Sequence, residues 1–590
     1  MAGRDVLRLR DVRRPPMPLS SVALLGGLLV VLGSMLLTAC VGIPTSGPVH
    51  QGVGVTNERD EPFTRVIAQP PRPGMKPDQI VQGFLFASGS FDDDHAAARL
   101  FLTSDAAAHW NADAGATVYD SSSPTAVGYQ DLGDTVRFTA PMAGHISAQG
   151  EYSPASGGTA RADFTLRRVG GEWRIAKLPD GLLLDTFDVD RSYRSYDIYF
   201  PDPSRTVLVP EQVLVPVGPG VSTSLVHALL AGPSPWLAPA VRSAIPTGTK
   251  LVVDSVPTGD GVAVVDLTAP AAAVAGRDAA AMSAQFAWTL RQLSGVTSLR
   301  ITVDDVPLRA PGVGAVQSPD AWPSFDPDGG ASDAAALYDT GSRLELLKDD
   351  QELRVAGPTG DGSVHLVDPA LSMDQRSVAG LDPTGNRLLV GGLGGAAPST
   401  VLRSVGLLAP TWDRFGAVWT VDQAGPVQRF WEAQPGAEAT RIAVHDLPAG
   451  RIVAFRIARD GVRAVAVVRG PGGGKVYLAR IERTGDRPVV AGFRLIPTST
   501  DDVVDVAWGS SDRLVLLAHP TPGAPAQPLA VDLSGNTTQS MGSITGSTIV
   551  SVSAAPKNPV LVSTAAGTLY WFTGFGWDSL GGGRDPAYPG

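Results

Sequence analysis

Between residues 335 and 585 the chain repeats one short theme, a polar turn followed by a strand of small and β-branched residues, at a period of about 45 residues. Asp382-Pro383-Thr384-Gly385 precedes Arg387 to Val390, Asp413 precedes Ala417 to Val421, and Asp460-Gly461 precedes Ala464 to Val468. Ser510-Ser511-Asp512 before Leu514 to Leu517 and Pro556-Lys557-Asn558 before Val560 to Ser563 continue the series. A unit this short exposes an apolar face that only a neighbouring unit can cover. The repeat therefore predicts an all-β propeller with four-stranded blades around a channel. By length there is room for roughly five or six blades, and the strand Arg343 to Leu347 is expected to close the ring by pairing near Tyr570-Trp571-Phe572. Most of the 11 tryptophans, from Trp322 to Trp577, fall in this half. Packing between blades explains them more simply than an exposed platform for sugar or peptide.

The opposite end carries an export signature. Arg4, Arg8, Arg10, Arg13 and Arg14 precede an uncharged stretch from Val22 to Leu37, which ends in Leu37-Thr38-Ala39-Cys40. That layout predicts a secretory signal peptide over 1–39, and its last four residues resemble a bacterial lipobox. The resemblance implies that the Cys40 sulfur takes a diacylglycerol and that Cys40 becomes the first residue of the mature chain. With only 1 Cys in the sequence, intramolecular disulfides and cysteine-cluster metal sites are impossible. The net charge of −11 argues against nucleic acid as a partner, because phosphate binding needs clustered positive charge. Loss of 1–39 would remove five Arg and two Asp, making the mature chain more acidic still. Residues 40–76 are rich in Gly and Pro without an apolar period, and read as a lipidated tether reaching about 30 Å.

Two more folded units lie between tether and propeller, as expected of a 590-residue chain that exceeds what one core supports. Over 77–190, Ile80, Val81, Phe84 and Leu85 share a helical face, and Ala97, Leu100 and Phe101 suggest a second short helix capped by Asp92-Asp93-Asp94. Val136 and Phe138, then Phe164 and Leu166 facing Trp173 and Ile175 across Gly170-Gly171, predict antiparallel strands, giving an α+β domain. Over 193–310 strands and helices alternate around what should be one sheet. Tyr196 to Pro201 and Val207 to Val217 lead to a helix stopped at Gly232-Pro233. Leu251-Val252-Val253, Gly259-Asp260-Gly261 and Val262 to Leu267 follow, then a helix with Met282, Phe286, Leu290 and Leu293 on one stripe, and the strand Leu299 to Val303.

The Tyr-Phe-Pro strand, Leu230-Ala231-Gly232-Pro233, Ile245-Pro246-Thr247-Gly248-Thr249 and Val264-Val265-Asp266-Leu267 stand in the order of the GerMN domain, which this α/β-mixed segment resembles. Residues 311–334, with Asp326 and Asp328, are expected to be a linker; the two acids lack the later ligands of a calcium loop.

Catalytic motifs are missing. No two of the 8 histidines stand four apart on an expected helix, and there is no nucleophile elbow. Gly472-Gly473-Gly474-Lys475 lacks the spacing of a phosphate loop and reads as a hairpin turn. Adjacent acids at Asp304-Asp305, Asp349-Asp350 and Asp501-Asp502 are expected in solvated turns, although two carboxylates in a channel would suit a glycosidase.

Anchor, tether, α+β unit, GerMN-like domain and propeller together resemble the LpqB lipoproteins of actinobacteria over essentially the whole chain. The resemblance implies a non-enzymatic accessory lipoprotein on the extracytoplasmic face of the cell membrane, without a cofactor. It would contact the extracytoplasmic domain of a membrane sensor histidine kinase, MtrB-like, and modulate its signalling in cell-envelope homeostasis and division. Two other readings stay open. One is a propeller hydrolase or lyase acting on envelope polysaccharide, which needs buried carboxylates converging with His or Tyr in the channel. The other is a passive cell-wall binding module that uses aromatic side chains.

Overall fold

The computed structural model describes residues 68–590 apart from 92, 93, 124, 125, 156, 219, 330–333, 349, 350, 426, 484, 486, 501, 536 and 537. The expected signal peptide, Cys40 and most of the tether lie outside the described residues.

Proline opens the helix Pro77–Ser88 in its first turn, where the missing amide costs no hydrogen bond. Its stripe of Ile80, Val81, Phe84 and Leu85 is buried against a seven-stranded sheet. There Phe84 meets Trp110 and Phe164 edge to face, with ring centroids 5.2 and 5.9 Å apart. The long strand Thr135–Ile146 buries Val136, Phe138 and Ala140 in alternation and pairs with four others. The hairpin Thr159–Val169 to Glu172–Lys177 turns on Gly170 and Gly171, whose φ angles of 61° and 88° are those a tight two-residue loop needs. The second helix is shorter than expected, Ala96–Arg99, and leaves Leu100 outside it and 54% exposed. Asp94 does not cap it. Its carboxylate pairs with Arg99 at 2.8 Å, since Asp94 itself is left-handed (φ 53°).

The next domain holds two sheets where one was expected. Tyr193–Pro201 and Leu208–Pro216 form an isolated antiparallel pair. Val262–Leu267 and Ser298–Val303 run parallel within a five-stranded sheet, with helix Arg277–Leu290 as the crossover that parallel strands require. One core joins both sheets through Met282, Phe286 and Leu290. Gln285, fully buried, fastens the helix to the pair: it donates to the Tyr199 carbonyl at 3.0 Å and accepts from the Ala244 amide at 2.8 Å. Helix Val221–Ala231 ends at Gly232, φ 88°. Leu251-Val252-Val253 is not a strand; Leu251 makes a single bridge to Leu267 and both valines are exposed.

Residues after this domain pack as a strap rather than hang as a loose joint. Trp322 and Phe325 are buried, Trp288 donates to the Trp322 carbonyl at 3.1 Å, and Gln317 accepts from both Ser283 and Trp322.

The propeller has six blades among the described residues. Four blades are separate four-stranded sheets, and two share an eight-stranded sheet through the parallel pairing of Thr440–Val444 with Val489–Leu495. The ring closes differently from expectation. Arg584–Ala587 joins the first blade by pairing with Ala336–Asp339, while Thr568–Phe572 stays within the last blade.

Three of the recurrent turns are held by an acid. Asp382 accepts from the amides of Asn386 and Arg387 at 2.9 and 2.8 Å, Asp413 from Phe415 and Ala417, and Asp460 from Val462 and Arg463. Tryptophans couple neighbouring blades: Trp412 donates to the Ala370 carbonyl at 3.1 Å and Trp508 to that of Arg456 at 3.2 Å, each reaching the preceding blade. Trp412 and Trp419 are fully buried, so these rings offer no sugar platform.

The three domains meet at one junction. Arg494 of the propeller pairs with Glu151 of the first domain, and its guanidinium lies 4.8 Å from the ring of Trp236 in the second. Trp236 donates to the Gly492 carbonyl at 2.5 Å, and Leu214 to that of Gly150 at 2.8 Å.

Candidate functional site

One strand from each blade borders the propeller axis. Segments around Asp368, Thr411, Arg456, Asp505, Ser551 and Asp585 enclose a cavity of about 340 Å³. Asp368, Arg456, Asp505 and Asp585 are the charged residues that these strands contribute to its lining. Burial pushes the Asp585 carboxyl up to about 7, helped by the negative charges of Asp368, Asp339 and Asp505 and opposed by Arg584. Burial also raises Asp368, against the pull of Arg456. It raises Asp505 too, although Arg456 stands 3.5 Å away and the amides of Val506 and Val552 donate to its carboxylate. Behind the wall, buried Asp339 meets His365 Nε2 at 3.0 Å. Arg459 ties the cavity edge to the strap through the Gly329 carbonyl at 3.3 Å and to the last strand's tail through the Pro589 carbonyl. Such a cavity can take up and release a proton near neutrality.

Of the adjacent acids that fall among the described residues, Asp304, Asp305 and Asp502 do not line this cavity. Asp304 and Asp305 form an exposed left-handed turn. Asp349, Asp350 and Asp501 lie outside the described residues, and Asp502 faces Arg469 at 3.3 Å. Gly472 sits in the hairpin between Arg463–Gly470 and Gly473–Glu482. Asp326 accepts from the Asp328 amide, and Asp328 accepts from the Ser511 amide at 2.5 Å, docking the strap on the propeller. Burial and the neighbouring Asp326 push Asp328 up to about 6. The channel acids Asp368, Asp505 and Asp585 were absent from the sequence-based candidates. For Asp368 and Asp505 the signal was a lone acid inside an otherwise apolar strand, a position where ionisation is costly; Asp585, beside Arg584 and Pro586, carried none.

Among the described residues, no three His, Cys, Asp or Glu side chains converge closely enough to hold a metal ion, and no helix is long and apolar enough to cross a membrane.

Three family models match the chain in the order of its domains. The LpqB N-terminal domain covers 70–190, a sporulation and spore germination domain covers 197–309, and the LpqB β-propeller domain covers 336–589. Lipoprotein LpqB of Thermobifida fusca is 31% identical, spanning 94% of this chain and 97% of its own length. Lipoprotein LpqB of Streptomyces coelicolor is 31% identical over 95% of this chain and 96% of its own. Among solved structures, TolB from Acinetobacter baumannii aligns over 51% of this chain and 85% of its own at 13% identity, with a TM-score of 0.33. Relatives named lipoprotein LpqB that are 31% identical over nearly the whole chain, together with the LpqB N-terminal and β-propeller domain models that match its two ends, place this chain in the LpqB lipoprotein family.

Proposed function

We propose that the chain is a lipid-anchored extracytoplasmic protein, held to the cell membrane by acylated Cys40, that acts as an accessory regulator of an MtrB-like sensor histidine kinase in envelope homeostasis and division. The observation that carries the anchor is the basic and then apolar N-terminus ending at Cys40, in a chain whose full-length relatives are lipoproteins. Confinement to the membrane surface raises effective concentration beside a membrane-embedded partner, so weak contacts suffice. A body that binds one kinase conformation better than another shifts their populations by that difference alone. Cys40→Ala is expected to abolish lipid labelling, block normal processing and weaken kinase modulation. Crosslinking in intact cells should recover the kinase. Normal processing and membrane retention of the Cys40→Ala protein would refute the anchor, and crosslinking that recovers other partners but never a kinase would refute the regulator.

The channel favours a second reading, a hydrolase or lyase acting on envelope polysaccharide, because Asp585 is held near neutral pH beside Asp505 and Asp368. Purified cell wall incubated with the full chain discriminates the two. Release of new reducing ends that is lost in Asp505→Asn supports the enzyme; intact polymer supports the regulator.

A further inference from the structure

Ring closure and the channel charge share one strand. Arg584–Ala587 is the segment that completes the first blade, and it carries Asp585 onto the cavity wall. It pairs with Ala336–Asp339 only at Leu337 to Ala587 and Asp339 to Arg584, with an irregular register between. The ladder of the closing strand, the seam of the ring, is thus two registered pairs, as short as that between Thr411–Trp412 and Val418–Asp422.

The groups around Asp585 can be taken element by element. From the paired strand comes Asp339, itself engaged by His365. From the first strand of the second blade, Val367–Leu371, comes Asp368. From Val503–Trp508 comes Asp505, faced by Arg456 at 3.5 Å. The strands of the last blade that pack on the seam, Ile549–Ser553, Leu561–Thr564 and Thr568–Phe572, bring one titratable side chain, Tyr570. Arg584 is the seam's own cation. Three acids therefore confront Asp585, and the arginine nearest them, Arg456, is already taken by Asp505.

We propose that the strand closing the propeller ring is a proton-sensitive clasp, tight while Asp585 is a neutral acid and loosened once its carboxylate is charged among the other acids of the channel. The sign follows from where the proton is held. The closed seam keeps it up to about pH 7, whereas in an opened seam Asp585 returns to its ordinary value of 3.8. Between those values the closed form binds more protons, so closure weakens as pH rises through the window and levels off above it. The inference concerns this strand alone and does not depend on which partner the protein has.

Hydrogen exchange of the full chain in detergent tests it. Rates at residues 584–587 and 336–339 are compared at about pH 5.5 and about pH 8 after division by intrinsic amide rates, with a loss of protection on the order of tenfold expected at the higher pH. Strands Arg463–Gly470 and Gly473–Glu482, on the fourth blade, should keep their protection. Asp585→Asn should flatten the seam's response, and Asp368→Asn should move its midpoint to lower pH, because one opposing charge is gone. Equal protection of the wild-type seam at both values would overturn the clasp even if Asp585→Asn failed to fold. So would an unchanged response in Asp585→Asn, or loss of protection spread evenly over all six blades.

Discussion

Arg463 and Asp460 form the most deeply buried ion pair described, with side chains 2% and 1% exposed and Nε to Oδ2 at 2.7 Å. The guanidinium does three things at once. It neutralises Asp460, donates to the Ser511 carbonyl of the next blade at 2.6 Å, and lies 5.4 Å from the Trp508 ring. Asp460 in turn accepts from the Val462 and Arg463 amides at 2.7 and 2.9 Å, so it cannot leave without undoing the turn. Arg463→Met keeps the aliphatic stem and removes the charge, stranding a buried carboxylate at a cost of about 3–5 kcal/mol. For a propeller of this size each kcal/mol lowers the melting temperature by about 2–4 °C, so its transition should fall by about 10 °C. The assay is a thermal melt followed by near-ultraviolet circular dichroism, where buried Trp508 reports directly. Asp460→Asn with Arg463→Met should recover part of the loss, because an amide oxygen in the place of Oδ1 still accepts from both turn N–H groups and no charge is stranded. A single Arg463→Met variant melting within about 2 °C of wild type would show that water or another group reaches Asp460, and would refute the reasoning.

Two further outcomes are expected. Burial would raise Asp382, but the Thr384 hydroxyl, the Arg387 and Asn386 amides and the Arg387 guanidinium outweigh it and hold the carboxyl down at about 2. Its contribution is therefore complete above about pH 4 and fades toward pH 2; Asp382→Asn should cost about 1–2 kcal/mol at neutral pH and flatten the acid limb of the stability profile. Arg494→Ala removes the partner of Glu151 and uncovers Trp236, so calorimetric unfolding should separate into resolved transitions for a modest loss of about 1 kcal/mol. One unsplit transition in that variant would place domain coupling elsewhere.

What could be read from residues alone was whatever a local device encodes. The recurrent turns were visible because polar residues tie them locally, at Asp382, Asp413 and Asp460 by an acid that accepts from amides two to five positions on. Gly232 was visible as a helix stop because its φ of 88° is left-handed, where side chains are strained. Long-range features were not visible. The closing strand Arg584–Ala587 is four residues with Pro586 inside and no alternation, and its partner lies at the other end of the propeller. The strap looked like a joint because Trp322 and Phe325 are set among prolines and glycines, and only helix Arg277–Leu290 gives them something to bury against. The channel acids escaped notice because adjacent carboxylates drew attention, whereas a radial fold assembles its axis from single residues on separate strands.

Leu337 cannot find Ala587 until roughly 250 further residues have been made, which places the propeller among topologies that depend on distant pairing. Until then, the newborn first blade presents a bare strand edge, open to invasion by any other extended chain. A nonsense codon or protease cut removing only the final seven residues would thus do more than trim a tail. It would leave every earlier blade folded against its neighbour, yet deliver an unlatched, aggregation-prone arc instead of a ring.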